Sequence, residues 1–503
     1  MPMSLPAVAP RAPTQLEPTA DPTGLCARPY QQAGVRFLVD RLTTTLDAMP
    51  TPERAVVLAD EPGLGKTLQA LRAADELGAR RVLVIAPAIA RVSWPIEIAK
   101  FAPARVPHAR VVPPEARPDL RRPGSGWLDQ PDVLAVLAYD IFSQPRTRAP
   151  WLQALTARRW DLLILDEAHY LKNASQRTRA IYGTRTQGGR AVGLEASCAR
   201  VILLTGTLTP NHAGEMFQHY RTFWSHRISR PMPNPPGARP LNQPEFEERF
   251  TRYTDGIHGR RINGSRNQDQ LRQALAPVIL RRRRADVLPE LPRLVCQDVP
   301  LVAAPGALHV PALSGAMSRT AHLGHLGDQC LVQELSSAPA NAELATLRRV
   351  LGEAKVIPAA EWVRERLGVG VDKILVFAWH RSVIAGLGQA LLDFAPLTIT
   401  GETSPAERAA VVDLFQTKPV HRVFIGQILA AGTAVTLTAA SDVAIVEPSW
   451  VPGENAQAIA RAHRLGQLFS VLASFLYLPN TLDQQIMRAY RRKAEEVSEL
   501  YRD

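Results

Sequence analysis

The sequence predicts an α/β protein, with two parallel-sheet lobes in tandem and an irregular, partly helical insertion between them. Three observations carry this. Short runs rich in leucine and β-branched residues alternate with helix-like stretches, as βα units do. The runs fall into two groups, one before residue 210 and one after residue 370. At 503 residues the chain is also longer than one ordinary core accommodates.

The first group comprises AVVLAD (55–60), RVLVIAP (81–87), DVLAVLAY (132–139), DLLILDE (161–167) and RVILLTG (200–206). The second comprises KILVFA (373–378), PLTIT (396–400), RVFIG (422–426), DVAIVE (442–447) and VLASFLYL (471–478). Each is nearly continuous in apolar residues, as expected of strands covered on both faces. Between the groups, HRISRPMPNPPGARPLNQP (226–244) is too rich in proline for regular structure to be expected, and residues 301–341 are rich in alanine, serine and glycine. The expected division is a disordered leader (1–24), a first lobe (25–225), an insertion and linker (226–350), a second lobe (351–479) and a C-terminal helix (480–503). No period of 20 to 50 residues marks a repeat protein.

Composition excludes several classes. Hydrophobic residues make up 46%, mean hydropathy is −0.09, and no apolar run is long enough to span a membrane. The start, MPMSLPAVAPRAPTQLEPTADPTG, lacks the charged and apolar regions of a signal peptide and reads as disordered. Cys26, Cys198, Cys296 and Cys330 form no C-x-x-C pair, which argues against a disulfide framework or zinc knuckle and for a reducing cytosol. The net charge of +12, mostly arginine, favours polyanions and nucleic acid above all, although genome base composition also produces arginine-rich chains.

ADEPGLGKT (59–67) has the form of a phosphate-binding loop, except that Asp60 stands where G-x-x-x-x-G-K-[ST] has its first glycine. It follows a strand and opens a helix. Gly63, Leu64 and Gly65 would turn backbone N–H groups toward phosphates, Lys66 would supply a point charge, and Thr67 a hydroxyl for Mg²⁺. A glycine-rich turn before a helix looks the same locally, so a second signal is needed. DLLILDEAH supplies it, with Asp166 and Glu167 at the end of an apolar strand, where open α/β sheets hold ligands. Asp166 suits a magnesium ion and Glu167 a general base, although carboxylates also suit helix N-caps. Together the two motifs indicate a nucleoside triphosphate site. In QAIARAHRLGQ (457–467), Arg461 and Arg464 lie three apart, which predicts one helix face reaching a γ-phosphate; a solvated basic face is the alternative.

DEPGLGKT, VLVIAP (82–87), AYD (138–140), LDEAHYLKN (165–173) and LTGTLTPN (204–211) resemble the first lobe of SNF2-type superfamily 2 helicase-like ATPases. E-P-S-W-x-P (447–452) followed by Q-A-x-x-R-A-H-R-x-G-Q resembles that family's motif VI, and ILRRRRADVLPELP (279–292) its inter-lobe linker. The resemblance implies two RecA-like lobes, ATP with Mg²⁺, and an aspartate at the first loop position. It departs at Pro62, read as lying on the loop's outer side, and at Ala434, where a glycine is common. It further implies that Gln31, in RPYQQAGVRFL (28–38), reads adenine, although a plain amphipathic helix explains that stretch as well. His169, Thr205, Gly206, Thr207 and Gln457 would pass the nucleotide state between lobes. For Arg281 to Arg284 a phosphate patch and a nuclear signal stand beside a structural, DNA-adjacent linker, which the family context favours.

The function implied is a DNA-stimulated ATPase that translocates on duplex DNA and remodels or displaces protein–DNA complexes, working as a monomer in the cytoplasm if the source is bacterial or phage-encoded and in the nucleus if it is eukaryotic. A strand-separating DNA helicase and a non-hydrolysing ATP-binding scaffold are the alternatives. The ending H-R-L-G-Q, in place of G-R-x-G-R, argues against an RNA helicase.

Overall fold

The computed structural model describes residues 27–44, 52–88, 90–113, 116–118, 126–186, 189–206, 209, 212–233, 236–256, 259–303, 342–428, 435–449, 451–464 and 466–500. The leader, Thr207 and Ala434 lie outside these residues. In chain order the strands begin with β1 (Ala55–Leu58), β2 (Arg81–Ala86), β3 (Ala109–Val111), β4 (Val133–Ala138) and β5 (Trp160–Asp166). A ribbon of β6 (Thr184–Thr186) and β7 (Gly189–Ala191) precedes β8 (Cys198–Leu204). Two more ribbons follow, β9 (Ser229–Pro233) with β10 (Pro236–Pro240) and β11 (Thr251–Gly256) with β12 (Gly259–Ser265). Then come β13 (Ile279–Leu280), β14 (Leu294–Pro300), β15 (Ile374–Ala378), β16 (Leu397–Ile399), β17 (Val423–Gln427), β18 (Asp442–Ile445) and β19 (Val471–Tyr477).

Seven strands form the first sheet, in the order β13-β1-β8-β5-β2-β4-β3, and six form the second, in the order β14-β19-β18-β15-β17-β16. Every pairing within both sheets is parallel. Alternate residues of a strand enter different cores: Ala55 and Val57 one, Val56 and Leu58 the other. In the second sheet Ile374 and Val376 separate from Leu375 and Phe377 in the same way. This is why the predicted runs are apolar throughout; all ten form strands of these two sheets, the two-lobed parallel architecture expected.

Two stretches differ from expectation. The proline-rich segment 226–244, expected to be irregular, contains the β9–β10 ribbon, with Gly237 opposite Met232 and Arg239 opposite Arg230. A two-stranded ribbon bonds along one edge of each strand, so a missing proline N–H costs little where it points outward. Second, the expected insertion and linker, 226–350, carries an edge strand of each sheet at and just beyond the 279–292 motif: β13 pairs with β1, and β14 with β19. The tail helix, Leu482–Leu500, is anchored by a buried ion pair in which Lys355 Nζ donates to the Asp483 carboxylate at 2.8 and 3.0 Å.

Candidate active site

Register brings three loops to one level. Leu58 pairs with Leu204, and Leu204 with Asp166, so the C-terminal ends of β1, β8 and β5 lie side by side. From β1 the chain enters the glycine loop, where Gly63 (φ 92°) and Gly65 (φ 76°) hold left-handed conformations that a Cβ disfavours. Gly65 then opens helix α2, introduced after α1 (Pro29–Thr43) and spanning Lys66–Glu76, with no side-chain cap. Its first turn therefore offers backbone N–H groups to an anion. Thr67, half-buried, is the second residue of this helix. Lys66 Nζ donates to the carbonyls of Asp60 (2.7 Å) and Glu61 (3.4 Å). Burial pushes its ammonium pKa down, and Glu167, Asp60 and Asp166 oppose that shift.

Asp60 explains the altered loop signature. Its carboxylate is fully buried and is gripped by Arg282, whose Nε donates to Oδ1 at 3.0 Å and whose Nη2 donates to Oδ2. Gln69 Nε2 adds a bond to Oδ2 at 3.2 Å. Backbone bonds from Ala59 to Leu280 (2.7 Å) and from Glu61 to Arg282 (3.1 Å) prolong the β1–β13 pairing into the loop. Pro62 is not on an outer face: a Cβ built on Gly206 would lie 3.3 Å from its ring and 3.9 Å from Lys66 Nζ. Leu64 is buried with Tyr30 and Leu288. Gln31, on α1, accepts from Arg28 N (3.0 Å) and donates to the Leu64 carbonyl (3.3 Å), so both ends of its amide are engaged beneath the loop.

Beside the loop, at the end of β5, stand the two acids. Asp166 accepts from Trp94 Nε1 at 2.9 Å and from Glu167 N at 3.0 Å. Trp94 is buried on α3 (Ala90–Phe101). Burial and the neighbouring Glu167 push the Asp166 carboxyl up to about 6. Burial would raise Glu167 too, but His169, Lys66 and Arg461 hold it below the ordinary value. Glu167 has a left-handed backbone (φ 48°), and its Oε2 lies 3.2 Å from His169 Nδ1. The same His169 nitrogen is 3.3 Å from Thr205 Oγ1. Two desolvated carboxyls in succession at the end of a strand are a donor set that suits a divalent cation.

The second lobe reaches this pair through Gln457, whose Nε2 donates to Glu167 Oε1 at 3.3 Å. Arg461 and Arg464 do not share a helix face as predicted. The helix Pro452–Ile459 ends before them, and both lie in the turn that follows. They nevertheless converge: each donates through Nη1 to the Val435 carbonyl at 3.3 Å. A Cβ on Gly63 would lie 3.7 Å from Arg464 Cβ, which puts that arginine's root over the glycine loop. Burial, the neighbouring Arg464 and the opposing Glu167 leave the Arg461 pKa at about 9, so it remains charged at neutral pH.

Sequence reasoning missed Trp94, Gln69, Glu61 and the separate tasks within the arginine run. The sequence does signal that Asp60 needs a partner, since a charge buried inside a glycine loop must be compensated, but it does not name Arg282 as that partner. Within the run, Arg282 holds Asp60, Arg283 pairs with Asp286 (2.8 Å) and Arg284 with Glu61 (3.3 Å).

A profile of the SNF2-related domain matches residues 30–301. The chain belongs to the SNF2-related family. A profile of the helicase conserved C-terminal domain matches residues 361–466, so this SNF2-related chain is a helicase-like ATPase. Among curated proteins it is 28% identical over 498 residues to the DNA annealing helicase and endonuclease ZRANB3 of Mus musculus, covering 95% of this chain and 42% of that protein. It is 28% identical over 482 residues to the SWI/SNF-related matrix-associated actin-dependent regulator of chromatin subfamily A-like protein 1 of Drosophila melanogaster, covering 94% and 55%. The chain thus spans about half the length of these relatives. Among solved structures, the Sulfolobus solfataricus SWI2/SNF2 ATPase core in complex with dsDNA is 20% identical with a TM-score of 0.41, covering 94% of this chain and 92% of that one.

Proposed function

We propose that this ATPase is stimulated by DNA, translocates on duplex DNA and remodels or displaces what is bound there. The observation that carries the reading is the bond from Gln457 to Glu167, which makes the acid of one lobe answer to the position of the other. The net charge of +12 and the DNA-directed names of the relatives support DNA as the track. In this reading Gly63 to Thr67 hold the phosphates, and Lys66 leaves the Asp60 and Glu61 carbonyls to meet them. Glu167 orients and deprotonates the attacking water, a role worth about 10²–10⁴-fold. Arg461 and Arg464 face the γ-phosphate from the second lobe. Thr67 and Asp166 would hold Mg²⁺, which supplies charge neutralisation at the transferring phosphate. Gln31, whose amide now bonds Arg28 N and the Leu64 carbonyl, would have to release one of them to read adenine, and His169 with Thr205 and Gly206 transmits the loop's state. Lobe closure and release then become steps along the phosphate backbone, with little sequence preference and strong salt dependence.

We also propose that the protein acts as a monomer. Among the described residues no helix is long and apolar enough to cross a membrane. ATP hydrolysis measured without nucleic acid, with duplex DNA, with single-stranded DNA and with RNA tests the reading, using Glu167→Gln as the blank. Strong stimulation by duplex alone is expected. Preference for single strands would make strand separation the better reading.

A further inference from the structure

The chain passes from the first sheet to the second between Leu280, where β13 ends, and Leu294, where β14 begins. Both ends are strand-paired, so the intervening residues must bear any change in the relation of the lobes. They are not a loose tether. Leu288 is buried against Leu64 of the glycine loop and Tyr30 of α1.

At their centre is Arg284, only 8% exposed. Its backbone N donates to Glu61 Oε2 at 3.0 Å, and its Nε reaches the same oxygen at 3.3 Å. The far arm of the guanidinium, Nη1, donates to the carbonyl of His463 at 2.8 Å. His463 stands between Arg461 and Arg464, and its ring Nε2 lies 2.7 Å from the Pro292 carbonyl of the same linker. One planar cation therefore bridges a carboxylate inside the nucleotide loop and the backbone that carries the second lobe's two arginines. A guanidinium fork is rigid, so it transmits geometry as well as charge.

We propose that Arg284 is a positioning residue for ATP hydrolysis: it sets where Arg461 and Arg464 stand over the glycine loop by tying Glu61 to the His463 carbonyl. Displacement of the Glu61 carboxylate when the loop fills is thereby carried to the arginine turn through one side chain. The proposal rests on the reading of Arg461 and Arg464 as γ-phosphate ligands.

The test compares wild type, Arg284→Ala, Arg284→Lys, Glu61→Gln, the Arg284→Ala/Glu61→Gln double variant and Arg464→Ala. The readouts are kcat and KM for ATP with duplex DNA, affinity for a fluorescent ADP analogue, and thermal midpoint. Since small misplacements of reacting groups cost on the order of 10²-fold, Arg284→Ala should lose about tenfold or more in kcat. ADP affinity should stay within about threefold, because ADP lacks the γ-phosphate the arginines face. Arg284→Lys keeps the charge beside Glu61 without the fork and should fall between; it serves as the test should the alanine variant fail to fold. The Glu61 cycle should be non-additive, with the double variant no slower than the slower single variant. Wild-type kcat in Arg284→Ala and Arg284→Lys beside a slow Arg464→Ala would overturn the proposal alone. Equal loss of kcat and ADP affinity, or an additive cycle, would reduce Arg284 to a fold contact. A normal Arg464→Ala would remove both the arginine reading and what Arg284 positions.

Discussion

Replacing Asp60 with glycine restores the general phosphate-loop signature G-x-x-x-x-G-K-[ST], and it should damage this protein. In the structure Asp60 is 0% exposed and its partner Arg282 has a side chain only 13% exposed. Asp60→Gly leaves that guanidinium with the Tyr30 carbonyl and Gln69 Oε1 (2.7 Å) but no anion. Stranding one member of a buried ion pair costs about 3–5 kcal/mol. Spread over a lobe of about 200 residues at 2–4 °C per kcal/mol, this lowers the first-lobe thermal midpoint by roughly 6 to 20 °C. Asp60→Asn retains an acceptor and loses only the charge-assisted part, about 1.5–3 kcal/mol. Asp60→Asn/Arg282→Gln, in which neither charge is buried, should cost less than the sum of its two singles. Differential scanning fluorimetry of wild type, Asp60→Gly, Asp60→Asn, Arg282→Gln and the double variant, with nucleotide affinity measured in parallel, provides the assay. An Asp60→Gly protein as stable as wild type and binding ATP more tightly would refute the argument that this aspartate is a clamp for the linker.

Lys66→Ala should weaken ATP binding at least tenfold, measured by nucleotide titration, since it removes the only point charge in the loop's helix start. Glu167→Gln should bind ATP with near wild-type affinity and hydrolyse it about 10²-fold or more slowly in a single-turnover assay. Arg464→Ala should spare binding and slow duplex-stimulated turnover by roughly 10³-fold, as arginine fingers do. The Asp166 carboxyl is raised to about 6 in the folded protein, so its charged form costs stability above that pH. That cost is relieved as pH falls through 6 toward the unfolded value near 4. Metal-free Asp166→Asn should therefore melt higher than wild type at pH 7.5, and the gap should close by about pH 5.

The nucleotide-loop and strand-end motifs are legible in the chain because their parts are local. A glycine loop needs left-handed backbone at Gly63 and Gly65, and a strand end needs Asp166 and Glu167 in succession; both constraints are written in neighbouring residues. The strands were legible for a related reason, since burial on both faces leaves no polar alternation to confuse the reading. The three-residue spacing of Arg461 and Arg464 marks them as a pair and predicts one helix face. The helix stops at Ile459, and a shared carbonyl, that of Val435, is what brings them together. Proline content does not predict the β9–β10 ribbon, because it reports lost donors and not whether the neighbouring strand needs them.

The partners of the buried charges belonged to tertiary structure alone. Asp60 and Arg282 are 222 residues apart, Gln457 and Glu167 are 290 apart, and Arg284 and His463 are 179 apart. Nothing in the neighbourhood of any of them names its partner. Gly34 shows the same limit: a Cβ there would lie 1.9 Å from Gln69 Oε1 and 2.7 Å from Arg282 Nη2, so the α1 glycine exists to admit the Asp60 cluster. Local backbone demands and strand burial are properties of consecutive residues, so the chain displays them. Charge compensation and lobe contact are properties of distance in space, and only the packed sheets bring those groups within reach.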